Sequence, residues 1–429
     1  MRVAAHTLGC KLNFAETSFI LSSFTSAGWE PVEFGDVADL YIINTCTVTA
    51  IAEKKCRNAI RQAIATNANA IVAVVGCFAH NNRSEIAKID GVDIILDNSQ
   101  KHELLRYVND YQSSRGSVNS SGSTNSDNSF HIAYSLTDRT RSFLKIQDGC
   151  DYFCTYCAIP FARGRSRSAT IDEVVAAAKK IASAGLKEVV LTGVNTGTFG
   201  LHNNESFLEL LQHLDNVDGI ERYRISSIEP NLLTDKIIDF VSHSSKFLPH
   251  FHIPLQAGSD KLLALMHRRY NTTFYSALLH NIKDKMPDAC IAADIMAGFN
   301  GEDEKEFDLV KKYVESLPIS YLHVFTFSER PRTAVLSFQD SIPIHQRREH
   351  SRQLQEISDR KKTEFYLSQQ GTTHPVLWES TVKDGFIYGF TDNYIRVRQP
   401  SSLDNLKLIN TVNLIQLNTF IENVEVYML

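Results

Sequence analysis

The sequence predicts a three-part α/β protein with an N-terminal parallel α/β domain, a central partial barrel of six strand–helix units, and a small C-terminal all-β domain. Apolar runs alternate with amphipathic stretches up to residue 111, and the same unit recurs about six times between residues 131 and 364. From residue 365, short runs rich in Val, Ile, Tyr and Phe take over. Alternating units build parallel sheets covered by helices, whereas short strands broken by turn residues build small β domains.

The N-terminal domain, residues 1–111, is predicted from strands that alternate with helices along the chain. Its strands are "RVAAHTLGC", "DLYIINTC", "AIVAVVGC" and "VDIILDN". Their continuous apolar character is typical of strands that are buried on both faces of a parallel sheet. Residues 112–130 then consist almost entirely of Ser, Asn and Gly. Such a composition cannot bury apolar surface, so it predicts a flexible linker.

The central domain, residues 131–364, is predicted to repeat the strand–helix unit about six times. Its strands are "RSFLKIQ", "KEVVLTGVN", "ERYRISSIEP", "HFHIPLQAG", "CIAADIMAGF" and "YLHVFTFSER". Six units are too few for an eight-stranded barrel, so an open or partial barrel is expected. In either form, reactive groups cluster at the C-terminal ends of the strands.

A polar helix, "IHQRREHSRQLQEISDRKKTEFYLSQQ", leads into the C-terminal domain, residues 365–429. Runs such as "HPVLWES" and "DGFIYGFTDNYIRVRQP" are short, β-branched and aromatic, and they are broken by turn residues. This pattern predicts a small all-β barrel or meander.

The overall composition is that of an ordinary globular protein, with 429 residues, 43% hydrophobic residues and a net charge of -5. No apolar run reaches the roughly 18 residues that a membrane span needs, and the N-terminus lacks the layout of a signal peptide. We therefore expect a cytoplasmic protein with no membrane association. In that reducing compartment, the eight cysteines are expected to be metal ligands, reactive thiols or core residues rather than disulfides.

Three of these cysteines stand in the run "CDYFCTYC", which contains Cys150, Cys154 and Cys157. The run follows the first strand of the central domain, at its predicted C-terminal end. Three closely spaced thiolates with one open position suit an iron–sulfur cluster whose fourth iron takes an external ligand. The spacing alone also admits zinc with a fourth ligand from elsewhere, because C-x2-C pairs are common in zinc sites.

A second set consists of Cys10, Cys46 and Cys77, each at the end of a predicted N-terminal strand. Parallel strands that finish in cysteine bring their thiols together at one edge of the sheet, the edge where such folds bind ligands. A second metal centre, an iron–sulfur cluster or zinc, is expected there. Cys56 on a helix and Cys290 at the start of a strand lack partners at metal-ligand spacing and are expected to be structural.

The C-x3-C-x2-C run, with Tyr156 directly before its last cysteine, resembles the signature of the radical S-adenosylmethionine enzymes. This resemblance implies a partial barrel with a [4Fe-4S] cluster at its mouth, chelated by the amino and carboxylate groups of S-adenosylmethionine. Short motifs in the matching order, "TGVNTG", "SSIEP", "HIPLQAGS" and "DIMAGF", extend the resemblance. It implies cofactor contacts for the following residues: Tyr156, Gly193, Asn195, Glu229, Gln256, Ile295 and Gly298.

Two three-cysteine sets in one chain resemble the radical S-adenosylmethionine methylthiotransferases, and the resemblance covers essentially the whole chain. That family implies an auxiliary [4Fe-4S] cluster on Cys10, Cys46 and Cys77, a radical core, and a C-terminal TRAM barrel. "TLGCKLN" and "INTCTVTAIAEKKCR" are most similar to the MtaB type, which implies methylthiolation at C2 of N6-threonylcarbamoyladenosine beside the tRNA anticodon. The alternatives are methylthiolation of isopentenyladenosine in tRNA or of a ribosomal-protein aspartate, and a zinc-bearing RNA-binding protein without catalysis.

The family implies three partners: the anticodon stem-loop of tRNA, an electron donor such as flavodoxin or ferredoxin, and a sulfur donor. From Phe365 onward the chain carries four Lys or Arg against six Asp or Glu, so the TRAM segment alone is poorly suited to neutralise phosphates. Better candidates for phosphate contacts are "ARGRSRS" (Arg163, Arg165, Arg167), "HRRY" (Arg268, Arg269) and the "HQRREHSR" helix. The sequence departs from the family at Asn300, where proline is common.

Overall fold

The three-part architecture is present in a computed structural model, which describes residues 1–114, 118–119, 129–136, 140–422 and 426–428. Most of the predicted linker, residues 112–130, lies outside these described residues. No helix in the described part is long and apolar enough to cross a lipid bilayer. The N-terminal elements are β1 (Arg2–Thr7), α1 (Lys11–Ser26), β2 (Glu30–Val32), β3 (Leu40–Thr45), α2 (Ala50–Thr66), β4 (Ile71–Gly76), α3 (Cys77–Asn81), α4 (Arg83–Ile86), β5 (Ile94–Leu96), α5 (Leu104–Ser114) and β6 (Val118–Asn119).

The N-terminal elements form one parallel sheet in the order β2-β1-β3-β4-β5-β6. The four predicted strands are β1, β3, β4 and β5, and they form its centre. Both faces are covered, since separate apolar clusters lie on the two sides of β3 and β4. The edge strands β2 and β6 were not predicted. Each of these two strands has at most three residues, which is too short to show a hydrophobic pattern in the sequence. Each is defined by its pairing with the neighbouring strand.

The central domain contains the six predicted strands, flanked by helices. Its elements are β7 (Ala133–Tyr134), β8 (Arg141–Lys145), β9 (Gln147–Asp148), α6 (Ile159–Arg163), β10 (Arg167–Ser168), α7 (Ile171–Ser183), β11 (Glu188–Thr192), α8 (Phe207–Asp215), β12 (Arg222–Ile225), α9 (Asp235–His243), β13 (His250–His252), α10 (Asp260–Leu265), α11 (Thr272–Lys285), β14 (Cys290–Ala297), α12 (Glu304–Ser316), β15 (Tyr321–Thr326) and α13 (Ile344–Ser368).

Two parallel ladders, β8-β11-β12 and β13-β14-β15, make up the partial barrel. The isolated bridge Tyr223–Phe247 connects the β12 side to the chain entering β13. One large apolar cluster packs the outer helices onto the strands. The helix starts follow from the sequence: Thr170 with Glu173, and Ser206 with Glu209, form capping boxes at α7 and α8.

The C-terminal domain is a mixed but mainly antiparallel sheet. Its elements are β16 (Thr373–Lys383), β17 (Phe386–Thr391), β18 (Arg396–Pro400), α14 (Leu403–Leu406), β19 (Val412–Gln416), β20 (Thr419–Ile421) and β21 (Val426–Met428). The strand order is β19-β16-β17-β18-β21-β20, in which only β18 and β21 pair in parallel among the described residues. Phe365 and Tyr366, in the last turns of α13, are buried with Trp378 in the core of this sheet. The exact boundary at residue 365 stays a prediction.

Candidate active site

The central cysteine set, Cys150, Cys154 and Cys157, lies in the loop that follows β8 and β9. The chain turns tightly here: the N–H of Cys157 donates to the carbonyl of Cys154 at 3.0 Å, and Phe153 has a positive φ of 49°. Burial raises the pKa of Cys150 to about 11 and that of Cys157 to about 12. Buried thiols of this kind stay protonated until a cation compensates the thiolate charge.

This cysteine set opens into a cavity of about 270 Å³ at the C-terminal ends of the barrel strands. The cavity brings together most of the residues that the resemblance assigns to the cofactor. It is lined by Cys150, Cys154, Tyr156, Cys157, Asn195, Glu229 and Gln256. The side chain of Asn195 is buried, and neither of its polar atoms meets the geometry of a hydrogen bond with a partner among the described residues. A buried amide without partners needs a polar ligand, so the cavity suits one.

Glu229 and Arg268 form an ion pair beside the cysteines. The Arg268 guanidinium also donates to the Cys154 sulfur at 3.1 Å and lies 3.5 Å from the Tyr156 hydroxyl. Burial raises the pKa of Glu229, and Arg268 opposes that shift. Gln256 has a positive φ of 67°, and its backbone bridges to Ile295 on β14. These contacts hold the third, fourth and fifth strand ends against the cysteine loop.

Three of the predicted cofactor residues do not line this cavity. Ile295 is fully buried in the barrel core, because side chains alternate along a strand and its neighbours Asp294 and Met296 face the cavity instead. Gly193 lies against the Gln147 side chain, where a Cβ atom would be 2.8 Å from Oε1. Gly298 packs against Arg347 on α13, so its small size serves helix packing.

Replacing Gly298 with alanine is expected to lower the free energy of unfolding by about 2–4 kcal/mol. Its φ is +78°, and a Cβ would lie 2.3 Å from Cγ and 2.9 Å from Cα of Arg347. Gly185→Ala is the matched control, since Gly185 has φ +83° and nothing lies within 4 Å of the position that a Cβ would take there. In urea denaturation, the control should lose only about 1–2 kcal/mol of its free energy of unfolding, which is the cost of holding an alanine at a positive φ. Equal losses in both variants would contradict the packing role.

The N-terminal cysteine set, Cys10, Cys46 and Cys77, lies at one edge of its sheet. β1, β3 and β4 are adjacent and parallel, and each cysteine follows the end of its strand. Gly9 has φ +102°, and a Cβ there would lie 2.9 Å from the Cys46 sulfur. Burial, together with the charges of Cys77 and Cys10, raises the pKa of Cys46 to about 12. The three thiols are therefore close enough to interact electrostatically.

Cys56 supports this set from α2. Its sulfur lies 3.4 Å from both the backbone nitrogen and the carbonyl oxygen of Cys46. Cys290 is buried in the core of the C-terminal sheet. That Cys56 and Cys290 are structural stays a prediction, and burial together with the charge of Cys77 raises the pKa of Cys56.

A buried ionic network lies next to the N-terminal set. The carboxylate of Glu16 on α1 is 2.5 Å from Lys101 Nζ, 2.9 Å from Lys145 Nζ and 3.1 Å from Arg163 Nη2. Asp148 pairs with Arg163 at 2.8 Å and with Arg167 at 3.1 Å. This network thus has four cations for two carboxylates. The charges of Cys77 and Cys10 both raise the pKa of Arg163, so ionised sulfur ligands would balance the excess.

The two cysteine sets meet at the interface between the N-terminal sheet and the barrel mouth. α6, which begins two residues after Cys157, packs on α3, which begins with Cys77. Asn98 ties the two together, because its Nδ2 donates to the carbonyl of Ala162 at 2.8 Å and lies 3.4 Å from the Cys77 sulfur. Val48, in the loop after Cys46, lines the central cavity. The elements that carry the two cysteine sets are therefore packed against each other, and the loop after Cys46 reaches the central cavity.

Neither cysteine set is arranged around a single metal ion. A zinc–sulfur distance of about 2.3 Å keeps ligand sulfurs within about 4.6 Å of one another. Among the described residues, which include all eight cysteines, the group with three potential ligand atoms within 4.8 Å of one another is His252, Asp294 and His323. A [4Fe-4S] cluster binds each cysteine to a different iron and so tolerates wider spacing. The sulfur arrangement therefore fits clusters better than zinc.

Three of the arginines that the sequence assigned to RNA phosphates are buried in ion pairs instead. The side chains of Arg163, Arg268 and Arg347 are at most 6% exposed. They pair with carboxylates contributed by distant segments, because a buried guanidinium requires a compensating charge. Arg165 and Arg269 are exposed; Arg165 pairs with Asp151 at 3.4 Å, and Arg269 lies over the Tyr152 ring.

Sequence reasoning missed Gln147 and the roles of Asp294 and Arg268. Gln147 Oε1 accepts from the N–H groups of Val194 at 2.9 Å and Asn195 at 2.8 Å, which fixes the loop after β11. Asp294 lines the central cavity, and its Oδ1 lies 2.7 Å from His252 Nε2. Gln147 and Asp294 lie in the strand-end motifs "KIQDGC" and "AADIMAGF". Their position in these motifs is the one feature of the sequence that could have pointed to a role in the site.

Comparison with known proteins agrees with this geometry. The profile of the uncharacterized protein family UPF0004 matches residues 2–97, and that of the Radical SAM superfamily matches residues 144–314. The solved structure of the radical S-adenosylmethionine methyltransferase TsrM from Kitasatospora setae aligns with a TM-score of 0.55 at 13% identity, covering 78% of this chain and 74% of that one. At that identity the match concerns the fold alone.

Curated relatives match over nearly the full length. The threonylcarbamoyladenosine tRNA methylthiotransferase MtaB of Bacillus subtilis (strain 168) is 37% identical, covering 92% of this chain and 89% of the relative. The protein of the same name from Aquifex aeolicus is 34% identical, covering 96% and 100%. The tRNA-2-methylthio-N(6)-dimethylallyladenosine synthase of Clostridium botulinum is 29% identical, covering 96% and 94%. With a Radical SAM match over residues 144–314 and relatives above 30% identity that are matched over nearly their full length, the chain belongs to the radical S-adenosylmethionine methylthiotransferase family.

Proposed function

We propose that the chain methylthiolates C2 of N6-threonylcarbamoyladenosine in the anticodon stem-loop of tRNA. The observation that carries this proposal is the packing of α3, which begins with Cys77, on α6, which follows Cys157, in a chain whose relatives are named threonylcarbamoyladenosine tRNA methylthiotransferases. Sulfur insertion needs one centre that binds S-adenosylmethionine and another that holds the transferable sulfur. Two sets of three ligands, each leaving one position open, meet both needs.

In this proposal, the central cysteine set holds a [4Fe-4S] cluster and the N-terminal cysteine set holds the auxiliary one. Bound there, the clusters supply an electron for reductive cleavage of S-adenosylmethionine and a site for sulfur transfer. The protein's own contribution is electrostatic and geometric. Arg163 and the two lysines beside Glu16 place positive charge next to the N-terminal set, which stabilises an anionic cluster.

The remaining cavity residues are proposed to bind and orient S-adenosylmethionine. Tyr156, Asn195, Glu229 and Gln256 line the cavity beside the cysteines. Asn195 offers a donor and an acceptor that are unpaired within the described residues, and Glu229 an acceptor anchored by Arg268. Gly193, Ile295 and Gly298 act indirectly by shaping the strand ends. An external electron donor such as flavodoxin or ferredoxin, and a sulfur donor, complete the reaction.

Anaerobically reconstituted protein is expected to hold about eight irons per chain, from two [4Fe-4S] clusters. It should convert a threonylcarbamoyladenosine stem-loop to its 2-methylthio form in the presence of S-adenosylmethionine, a reductant and sulfide. Nucleoside mass spectrometry of the digested RNA identifies the product. An isopentenyladenosine stem-loop in a parallel reaction is the control, and conversion of that RNA alone would assign the chain to the other branch. Stoichiometric zinc without iron would overturn the proposal.

A further inference from the structure

A second hollow region lies where all three domains meet, away from the central cysteines. It consists of two adjoining cavities of about 290 and 330 Å³ that share Lys11, His250 and Tyr394. We call this region the cationic cavity. Lys11 comes from the N-terminal domain, His250 from the barrel and Tyr394 from the C-terminal domain. Cys10 also lines it, so the cavity reaches the N-terminal cysteine set.

The charge of the cationic cavity is unlike that of the protein as a whole. Its lining includes five cations, Lys11, Arg141, Arg224, Lys362 and Arg396, and no Asp or Glu; every lining residue lies in the described part of the chain. The full chain carries a net charge of -5. A cavity without carboxylates in an acidic protein favours an anionic occupant.

Its wall also contains a packed aromatic group. Tyr394 stacks on His250 with ring centroids 4.4 Å apart and on Phe390 at 4.8 Å. Arg224 lies over the same Tyr394 ring at 4.9 Å. These contacts hold the Tyr394 ring in place between the barrel and the C-terminal domain. The cavity therefore combines an aromatic face with positive charge.

Lys11 differs from the arginines on the same wall. Arg141 is paired with Glu379 at 2.7 Å, and Arg224 with Glu188 at 2.8 Å. The Lys11 ammonium has no hydrogen bond or ion pair within the described residues, and the residue is exposed to the cavity. Its charge is thus available to a ligand. Lys11 also follows Cys10 directly, so an anion bound here lies beside the proposed sulfur-bearing centre.

We propose that Lys11 binds the carboxylate of the threonylcarbamoyl group and thereby selects this nucleoside over one with a neutral substituent. The inference rests on the proposed function and deepens it. The isopentenyl substituent is a hydrocarbon, whereas the threonylcarbamoyl substituent ends in a carboxylate. The Lys11 ammonium, in a cavity lined by no carboxylate, would stabilise the carboxylate of the threonylcarbamoyl substituent. With the isopentenyl substituent bound, the same ammonium would have no compensating charge.

The test compares two stem-loops, one with N6-threonylcarbamoyladenosine and one in which the threonyl carboxylate is replaced by a carboxamide. The reconstituted wild-type holoenzyme is expected to prefer the carboxylate by about 10- to 100-fold in kcat/KM, the value of a charged hydrogen bond. In Lys11→Gln the preference should fall to about one, with the carboxamide rate retained. Lys11→Arg, which keeps the charge, should retain most of the preference.

The ratio is measured within each enzyme sample, so a partial loss of folding or cluster content cancels. Lys55→Gln, a change at an exposed lysine on α2, is the matched control and should keep the wild-type ratio. An unchanged ratio in Lys11→Gln, or no preference in the wild type, would overturn this inference alone. If the enzyme converts the isopentenyladenosine stem-loop but neither the carboxylate nor the carboxamide form of the threonylcarbamoyladenosine stem-loop, the proposed function is overturned as well.

Discussion

Cys10→Ala is expected to abolish methylthio product while leaving S-adenosylmethionine cleavage in place. Cys10 belongs to the N-terminal set, and Cys150, Cys154 and Cys157 border a separate cavity with Asn195 and the Glu229–Arg268 pair. Removing one ligand of the N-terminal set should leave about four irons per chain instead of about eight. Those irons still support reductive cleavage, so 5′-deoxyadenosine should accumulate without modified nucleoside.

Cys150→Ala is the reciprocal variant and should show neither 5′-deoxyadenosine nor methylthio product. Both variants are assayed anaerobically by chromatography for 5′-deoxyadenosine and by mass spectrometry for the nucleoside. Because each retains the other cysteine set, the pair controls for general loss of cluster assembly. Full activity in Cys10→Ala would remove the N-terminal set from the reaction. Loss of cleavage in Cys10→Ala with normal iron at the central set would show that the two sets do not act separately.

Glu16→Gln is expected to lower the free energy of unfolding by about 3–5 kcal/mol, the cost of leaving buried charges uncompensated. Glu16 is buried among Lys101, Lys145 and Arg163, which belong to the N-terminal domain, to β8 and to α6. The substitution keeps the shape but removes the negative charge, so Asp148 is left as the one carboxylate of the network, against four cations. Chemical denaturation measures the loss. Glu85→Gln is the control, because its pair with Arg57 is solvent-exposed and should contribute less than about 1 kcal/mol.

The same carboxylate gives the wild-type protein an acid-sensitive stability. Burial alone would raise the pKa of Glu16, but Arg163, Lys101 and Lys145 hold it well below the usual value of 4.5. A carboxylate whose pKa is lower in the folded than in the unfolded state stabilises the folded protein at pH values above the unfolded-state pKa. This stabilisation is lost as the pH falls from the unfolded-state pKa toward the folded-state pKa. Wild-type stability should therefore decline below about pH 4.5, and the decline should be shallower in Glu16→Gln. Parallel curves for the two proteins would exclude Glu16 as a contributor.

The two candidate cysteine sets could be recognised in the sequence because their positions are local. Cys150, Cys154 and Cys157 are spaced within one loop, and Cys10, Cys46 and Cys77 each end a strand whose apolar run is visible in the sequence. Parallel strands with a common direction must bring such ends to one edge. The six barrel strands could be predicted because each is a local apolar run in the sequence.

The function of the arginines was not predictable in this way. "ARGRSRS" and "HRRY" suggested a phosphate-binding surface, yet Arg163 is neutralised by Glu16 from another domain and Arg268 by Glu229 from another strand. A charged residue looks the same in sequence whether its partner is an RNA phosphate or a distant carboxylate. Only the folded chain distinguishes the two cases, since burial decides whether a partner is required.

The strand–helix alternation and the candidate ligand sets can be read from the amino-acid sequence alone, because hydrophobic period and cysteine spacing are properties of neighbouring residues. How the two cysteine sets face each other, and what surrounds them, depends on the packing of the folded chain. α3 docks on α6, Asn98 spans the junction, and Lys11 enters a cavity built from three domains. These contacts join residues far apart in the chain, and they form only when packing and charge compensation bring the separate segments together.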